Sequence, residues 1–149
     1  MYKIDLERIG EIISVINDNI RFIEGENIDS VDVLLESKKD YLAVSMAIFT
    51  IQNKVLELGE ELVESLDKGF YPKKYNEVPK ILLDEKIIDS GLFKKYKSFI
   101  EYRNEIAHEY EGITENEIFW CVSNLNFVED FVKIVKERLF WIYFLFLYF

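Results

Sequence analysis

Between Tyr41 and Leu62, apolar residues fall at Tyr41, Val44, Ile48, Ile51, Val55, Leu58 and Leu62, an unbroken alternation of steps of three and four. That spacing keeps returning to one side of a 3.6-residue turn. It specifies a long packed helix and cannot suit a strand, whose faces alternate every two residues. Met46, Phe49, Leu56 and Val63 add a second apolar face, and a helix that is apolar on two sides belongs at the centre of a bundle. Its end is expected near Lys68-Gly69, with the glycine as the stop.

The rest of the chain reads as partners for that helix. Ile9, Ile12, Ile13, Ile16, Ile20 and Ile23 form the single stripe of an amphipathic helix, followed by a polar break from Gly25 to Ser30. A short helix is expected from Val31, capped by Asp29 or Ser30. Phe70 to Val78 reads as loop, and a further short helix is predicted to start at Pro79, since proline is tolerated in a first turn. Asp89 or Ser90 should cap the next helix, with Leu92, Tyr96, Phe99, Ile106 and Tyr110 inward and Gly112 as its end. Thr114-Glu115-Asn116-Glu117 is a capping box for a final helix running through Ile118, Val122, Leu125, Val132, Val135 and Leu139. Only 6 glycines and 2 prolines interrupt 149 residues, and strand patterns are missing. The expectation is one all-α domain over residues 1–149, an up-down bundle of about four long helices plus short ones.

Composition narrows the setting. One cysteine, Cys121, excludes an intrachain disulfide framework and fits a reducing cytoplasm. The opening Met-Tyr-Lys-Ile-Asp-Leu-Glu-Arg lacks the basic and apolar regions of a signal peptide, so a cytoplasmic location is expected. The formal net charge of −10 argues against a general nucleic-acid binder. Its distribution is uneven. Residues 1–67 carry 6 basic and 15 acidic side chains, and residues 104–149 carry 3 and 8, whereas Lys68 to Arg103 carries 9 and 5. From Leu139 to Phe149 every residue is apolar or aromatic. Eleven helical residues rise only about 16 Å, roughly half a bilayer core, so this extension at 139–149 is no transmembrane span. It is expected to be covered, most naturally by a second subunit.

Chemistry concentrates in Tyr102-Arg103-Asn104-Glu105-Ile106-Ala107-His108-Glu109-Tyr110, which holds the one histidine of the chain. Asn104 and His108 lie four apart on one helix face, where the amide can orient the ring. Arg103 shares a face with Tyr110 and falls on the stripe of Tyr96, Phe99 and Ile106. A guanidinium there must find a carboxylate or face a partly buried pocket that receives an anion. Glu101, Glu105, Glu109 and Glu111 are scattered round the helix, and one histidine without paired cysteines makes no zinc site, so neither a metal nor a cofactor is expected.

Arg-x-x-x-x-His resembles the signature of the HEPN domain superfamily, and Arg-Asn-x-x-x-His-x-Tyr resembles its HepT branch, the ribonuclease toxins of HepT/MntA type toxin–antitoxin systems. Four specified residues at this spacing arise by chance in roughly one chain per few thousand. The pattern of helices agrees over nearly the whole chain, with the aromatic extension outside it. The resemblance implies a metal-independent RNA endonuclease acting as a homodimer or higher oligomer, with Arg103 and His108 catalytic and Asn104 in support. It also implies a nucleotidyltransferase antitoxin that adenylylates Tyr110. The alternative is a non-catalytic HEPN module that binds a nucleotide or a nucleotidyltransferase.

Overall fold

The computed structural model describes the backbone of residues 3–74, 76–107 and 115–148, and the side chains of all of these except 104–107 and 142–148. Among the described residues there are seven helices and no strand: α1 (Leu6–Gly25), α2 (Val31–Leu35), α3 (Lys38–Ser65), α4 (Glu77–Asp84), α5 (Ser90–Ala107), α6 (Glu115–Ser123) and α7 (Leu125–Tyr148). The four long ones are α1, α3, α5 and α7, and they alternate in direction. Arg8, at the start of α1, pairs with Glu61, near the end of α3, at 3.1 Å. Gln52 and Val55 of α3 meet Phe99 and Tyr96 of α5 in reverse order. Tyr96 and Phe99 then meet Phe131 and Phe127 of α7, both edge to face at 5.1 Å between ring centroids. The all-α up-down bundle read from the sequence is the fold.

Local chemistry sets the helix starts, with Ser30 and Asp89 capping as expected. Asp5, Ser30, Ser37 and Asp89 each accept a backbone N–H three residues on, from Arg8, Val33, Asp40 and Leu92. A cap of this kind is worth about 1 kcal/mol. The six isoleucines of α1 are all buried, as are Val44, Ile48, Ile51, Val55, Leu58 and Leu62 of α3. At roughly 1.5–3 kcal/mol per buried aliphatic side chain, these two stripes contribute a substantial share of the stabilisation of the bundle.

Four expectations need correction. Helix α3 stops at Ser65, short of Lys68-Gly69, because Asp67 itself takes the left-handed conformation at φ 51°. A short polar side chain tolerates that region, so the later glycine is not needed as the stop. Met46 is 51 % exposed, whereas Leu56 and Val63 from the same second face are buried. Helix α4 begins at Glu77, two residues before Pro79. The Glu77 carboxylate accepts the N–H groups of Lys73 and Lys74. Proline fits any place in a first turn, where its missing N–H has no partner to lose. The final helix is broken at Asn124, whose side-chain amide donates back to the Trp120 carbonyl at 2.8 Å. Such side-chain bonds to the backbone compete with helix continuation. The expected stops and caps at Gly112 and Thr114 lie outside the described residues.

Helix α7 runs on to Tyr148, with Leu139 buried and Phe140 and Trp141 exposed. Among the described residues no helix is long and apolar enough to cross a membrane. The start of α5 at Gly91-Leu92 lies beside Ile134 and Glu137 of α7, whereas Tyr102 near its other end meets Trp120 of α6. The aromatic extension therefore leaves the bundle at the end opposite Arg103. A cover for the extension and a contact through the motif helix are two different surfaces.

Tight packing of α3 yields a first prediction. An added Cβ at Gly59 would collide with the Tyr96 hydroxyl and come within 2.7 Å of Val78 Cγ1. Tyr96 cannot retreat, being fully buried with its hydroxyl donating to the Val55 carbonyl at 3.1 Å. Alanine recovers about 1 kcal/mol of helix propensity, while overpacking costs about 1–3 kcal/mol. Gly59→Ala is therefore expected to lower the urea midpoint at unchanged slope, and a raised midpoint would contradict the packing described.

Candidate active site around Arg103

Helix α5 carries the motif out of the core. Its lower turns are anchored by fully buried Tyr96 and Phe99. The Gln52 side-chain amide donates to the Phe99 carbonyl at 2.8 Å and so sets the register of α5 against α3. One turn further on, Tyr102 packs edge to face on Trp120, centroids 5.5 Å apart, which braces the motif against α6. Arg103 follows, half-buried between α5 and α3.

Two side chains of α3 hold the guanidinium. Nε of Arg103 donates to Oδ1 of Asn53 at 2.8 Å, and its central carbon stands 5.9 Å from the centroid of the Phe49 ring. Phe49 and Asn53 are four apart and share a helix face. Together with Met46, Glu57 and Glu60 they line an open hollow into which Arg103 is set. Arg103 is half-buried, and the anchor on its Nε side is a neutral amide.

Charge around the hollow is mixed. Lys54 is tied to Glu57 at 3.0 Å, one turn along its own helix. Burial, together with repulsion from Glu57, Glu64 and Glu61, pushes the Glu60 carboxyl above its usual range. Cys121 is fully buried, and burial followed by the charge of Glu117 pushes its thiol up, so it is an inert core residue. Among the described residues no group of three or more His, Cys, Asp or Glu side chains could hold a metal ion.

Of the residues singled out from the sequence, Arg103 is fully placed. The backbone of Asn104 continues α5, but its side chain lies outside the description, and so do His108 and Tyr110. Asn53 was not singled out, although a signal for it exists. Met46, Phe49, Asn53, Leu56, Glu60 and Val63 also step by three and four, so Asn53 and Glu60 are the polar members of the second apolar face. A polar residue at a stripe position asks for a partner.

Comparison with known proteins places the fold. YutE from Bacillus subtilis, a cytosolic protein of unknown function, superposes with a TM-score of 0.78 at 18% identity, over 93% of either chain. The tri-AMPylated HEPN toxin of Shewanella oneidensis, in complex with its MNT antitoxin, superposes with a TM-score of 0.77 at 16% identity, over 87% of this chain and 97% of that one. A toxin–antitoxin complex with AMP-PNP matches equally well, at 0.77 and 16%, over 87% of this chain and 98% of its own. No curated protein matches the chain by sequence. At these identities the superpositions establish the fold. The family follows from the model of the HepT-like ribonucleases, which matches residues 6–136. The chain belongs to the HepT-like ribonuclease family.

Proposed function

We propose that this protein is a metal-independent RNA endonuclease, the toxin of a type VII-like toxin–antitoxin pair, acting in the cytoplasm as a homodimer. The observation that carries the reading is a half-buried arginine held between two helices at the rim of an open hollow, in the motif position of a HepT-like chain. RNA cleavage without a metal needs a base for the 2′-hydroxyl, an acid for the leaving 5′-oxygen and a cation for the phosphorane-like transition state. The imidazole of His108 carries protons near neutrality. Arg103 binds two phosphate oxygens at once and stabilises the developing charge.

The 2′-oxygen attacks phosphorus, its proton passing to one imidazole. The P–O5′ bond breaks, and a second, protonated imidazole gives its proton to the departing oxygen. One histidine per chain makes the second imidazole the partner's contribution, a physical reason for dimerisation through the motif helix. Asn104, one turn before His108, orients the ring. The partner antitoxin is a minimal nucleotidyltransferase that adenylylates Tyr110. The AMP group adds bulk and negative charge beside Arg103, where RNA phosphate must enter. The AMPylated toxin found with its MNT antitoxin among the structural relatives supports this regulation.

A second reading is a non-catalytic module that binds a nucleotide or a nucleotidyltransferase. The net charge of −10 favours it, as do Glu57 and Glu60 beside Arg103, because both repel RNA. Incubation of the purified, unmodified protein with RNA separates the two.

Cleavage is expected to persist in EDTA and to leave 2′,3′-cyclic phosphate ends. His108→Ala should lose about 10²–10⁴-fold, the usual effect of removing a general acid or base. Arg103→Lys keeps the charge but loses the fork, so it should be impaired, and Arg103→Ala more so. A folded, dimeric His108→Ala protein of near wild-type rate would falsify the assignment. Inhibition by EDTA that Mg²⁺ reverses would do the same.

Co-production with the antitoxin should add AMP to Tyr110, seen by intact mass, and abolish cleavage. Tyr110→Phe should escape modification while staying active. Modified protein that cleaves at the unmodified rate overturns this part of the reading. Light scattering should give a dimer or larger at micromolar concentration, and a stable monomer would remove the shared site.

A further inference from the structure

We infer that the aromatic end of α7 inserts into one leaflet of an anionic phospholipid bilayer, docking the protein on a membrane surface whatever the chemistry at Arg103.

Helix α7 runs unbroken from Leu125 to Tyr148, yet its composition changes once, at Leu139. Before that point buried and charged positions share each turn. Phe131, Val132 and Val135 are buried, whereas Lys133, Lys136, Glu137 and Arg138 are exposed. From Leu139 onward every residue is apolar or aromatic. At 3.6 residues per turn such a run surrounds the axis and leaves no polar side. A second copy packed along the helix asks for something else, an apolar stripe parallel to the axis with polar residues opposite. Here the boundary runs across the axis, charged before Leu139 and apolar all round after it. A flat slab of hydrocarbon has that shape. The dimensions agree, because the extension rises about 16 Å and half a hydrocarbon core measures about 15 Å.

The boundary reaches the surface in the first turn of the extension, where Phe140 and Trp141 are 43 % and 61 % exposed. Tryptophan favours the level of the headgroups. Immediately before it stand three exposed cations, Lys133, Lys136 and Arg138, against one acid, Glu137, in a chain of net charge −10. This collar complements anionic headgroups, whereas two copies joined side by side through their extensions would bring like charges together. Asp89 and Asp130, which share a hollow with Lys95 and Lys133, temper the attraction. Insertion of the apolar turns is therefore the larger contribution, and the collar selects the lipid. Because Arg103 lies at the opposite end of the bundle, a docked molecule keeps its motif on the aqueous side.

The test is flotation of the whole chain through a density gradient with vesicles of phosphatidylcholine, with and without phosphatidylglycerol. The protein should rise with the anionic vesicles and partition about tenfold less onto the neutral ones, as a net two charges at the surface imply. Brominated acyl chains should quench the emission of Trp141 and spare that of Trp120, which packs on Tyr102 at the far end. Phe140→Glu/Trp141→Glu should abolish flotation with helical content kept, since both side chains are exposed. Lys136→Glu/Arg138→Glu should cut partition onto anionic vesicles at least about tenfold.

Protein that stays below every vesicle overturns the inference, as does flotation that survives Phe140→Glu/Trp141→Glu in a folded chain. Protein that ignores vesicles but loses mass in light scattering with the same change has its extension covered by a second copy, which overturns it equally. Equal partition onto neutral and anionic vesicles overturns the selection of lipid by the collar.

Discussion

Burial of α3 around most of its circumference is the constraint on which the rest of the molecule depends. Every other helix packs against it. Its own sequence answers with two apolar faces at helical spacing and a glycine where Tyr96 and Val78 come closest. A helix with so little free surface cannot shift along its axis without emptying contacts on several sides at once, since close-packed interiors tolerate little displacement. Whatever projects from α3, or leans on it, is therefore held in a defined place.

The candidate site uses that rigidity. Arg103 stands on α5, whose register is set by buried hydrogen bonds to α3 and by two edge-to-face aromatic pairs with α7. The guanidinium then meets Phe49 and Asn53, which the same α3 presents one turn apart. A long side chain is costly to order, and here packing has already restricted much of that freedom before a ligand arrives. The acidic surroundings work the other way. Glu57 and Glu60 share the hollow, and the pressure on Glu60 from burial and like charge shows how crowded the negative side of α3 is. An anion reaching Arg103 enters against that field, which favours a ligand whose phosphate binds in one defined geometry over loose attraction to polyanions.

Periodicity carried most of the fold. The isoleucine stripe of α1, the seven-residue stripe of α3 and the caps at Ser30 and Asp89 were legible because each depends on neighbours within one or two turns. Two of the misreadings share a cause. Asp67 ends α3 before Gly69 does, and Asn124 interrupts the last helix without disturbing its apolar pattern. In both places a polar side chain decides a backbone event that hydrophobic spacing does not register. The period of Met46 points inward, yet it stands 51 % exposed, lining the hollow that Arg103 enters.

By itself, the sequence determined an all-helical bundle, a central helix, a motif with Arg103 at its head and, through the family model over residues 6–136, membership of the HepT-like ribonuclease family. These follow from local periodicity and from residue spacing within one helix. The tertiary structure alone decided that Asn53, fifty residues before Arg103, accepts its Nε–H, and that the aromatic extension leaves the bundle at the opposite end. Both depend on how antiparallel helices register against one another. That register is set by side chains distant in sequence, and no spacing along one helix encodes it.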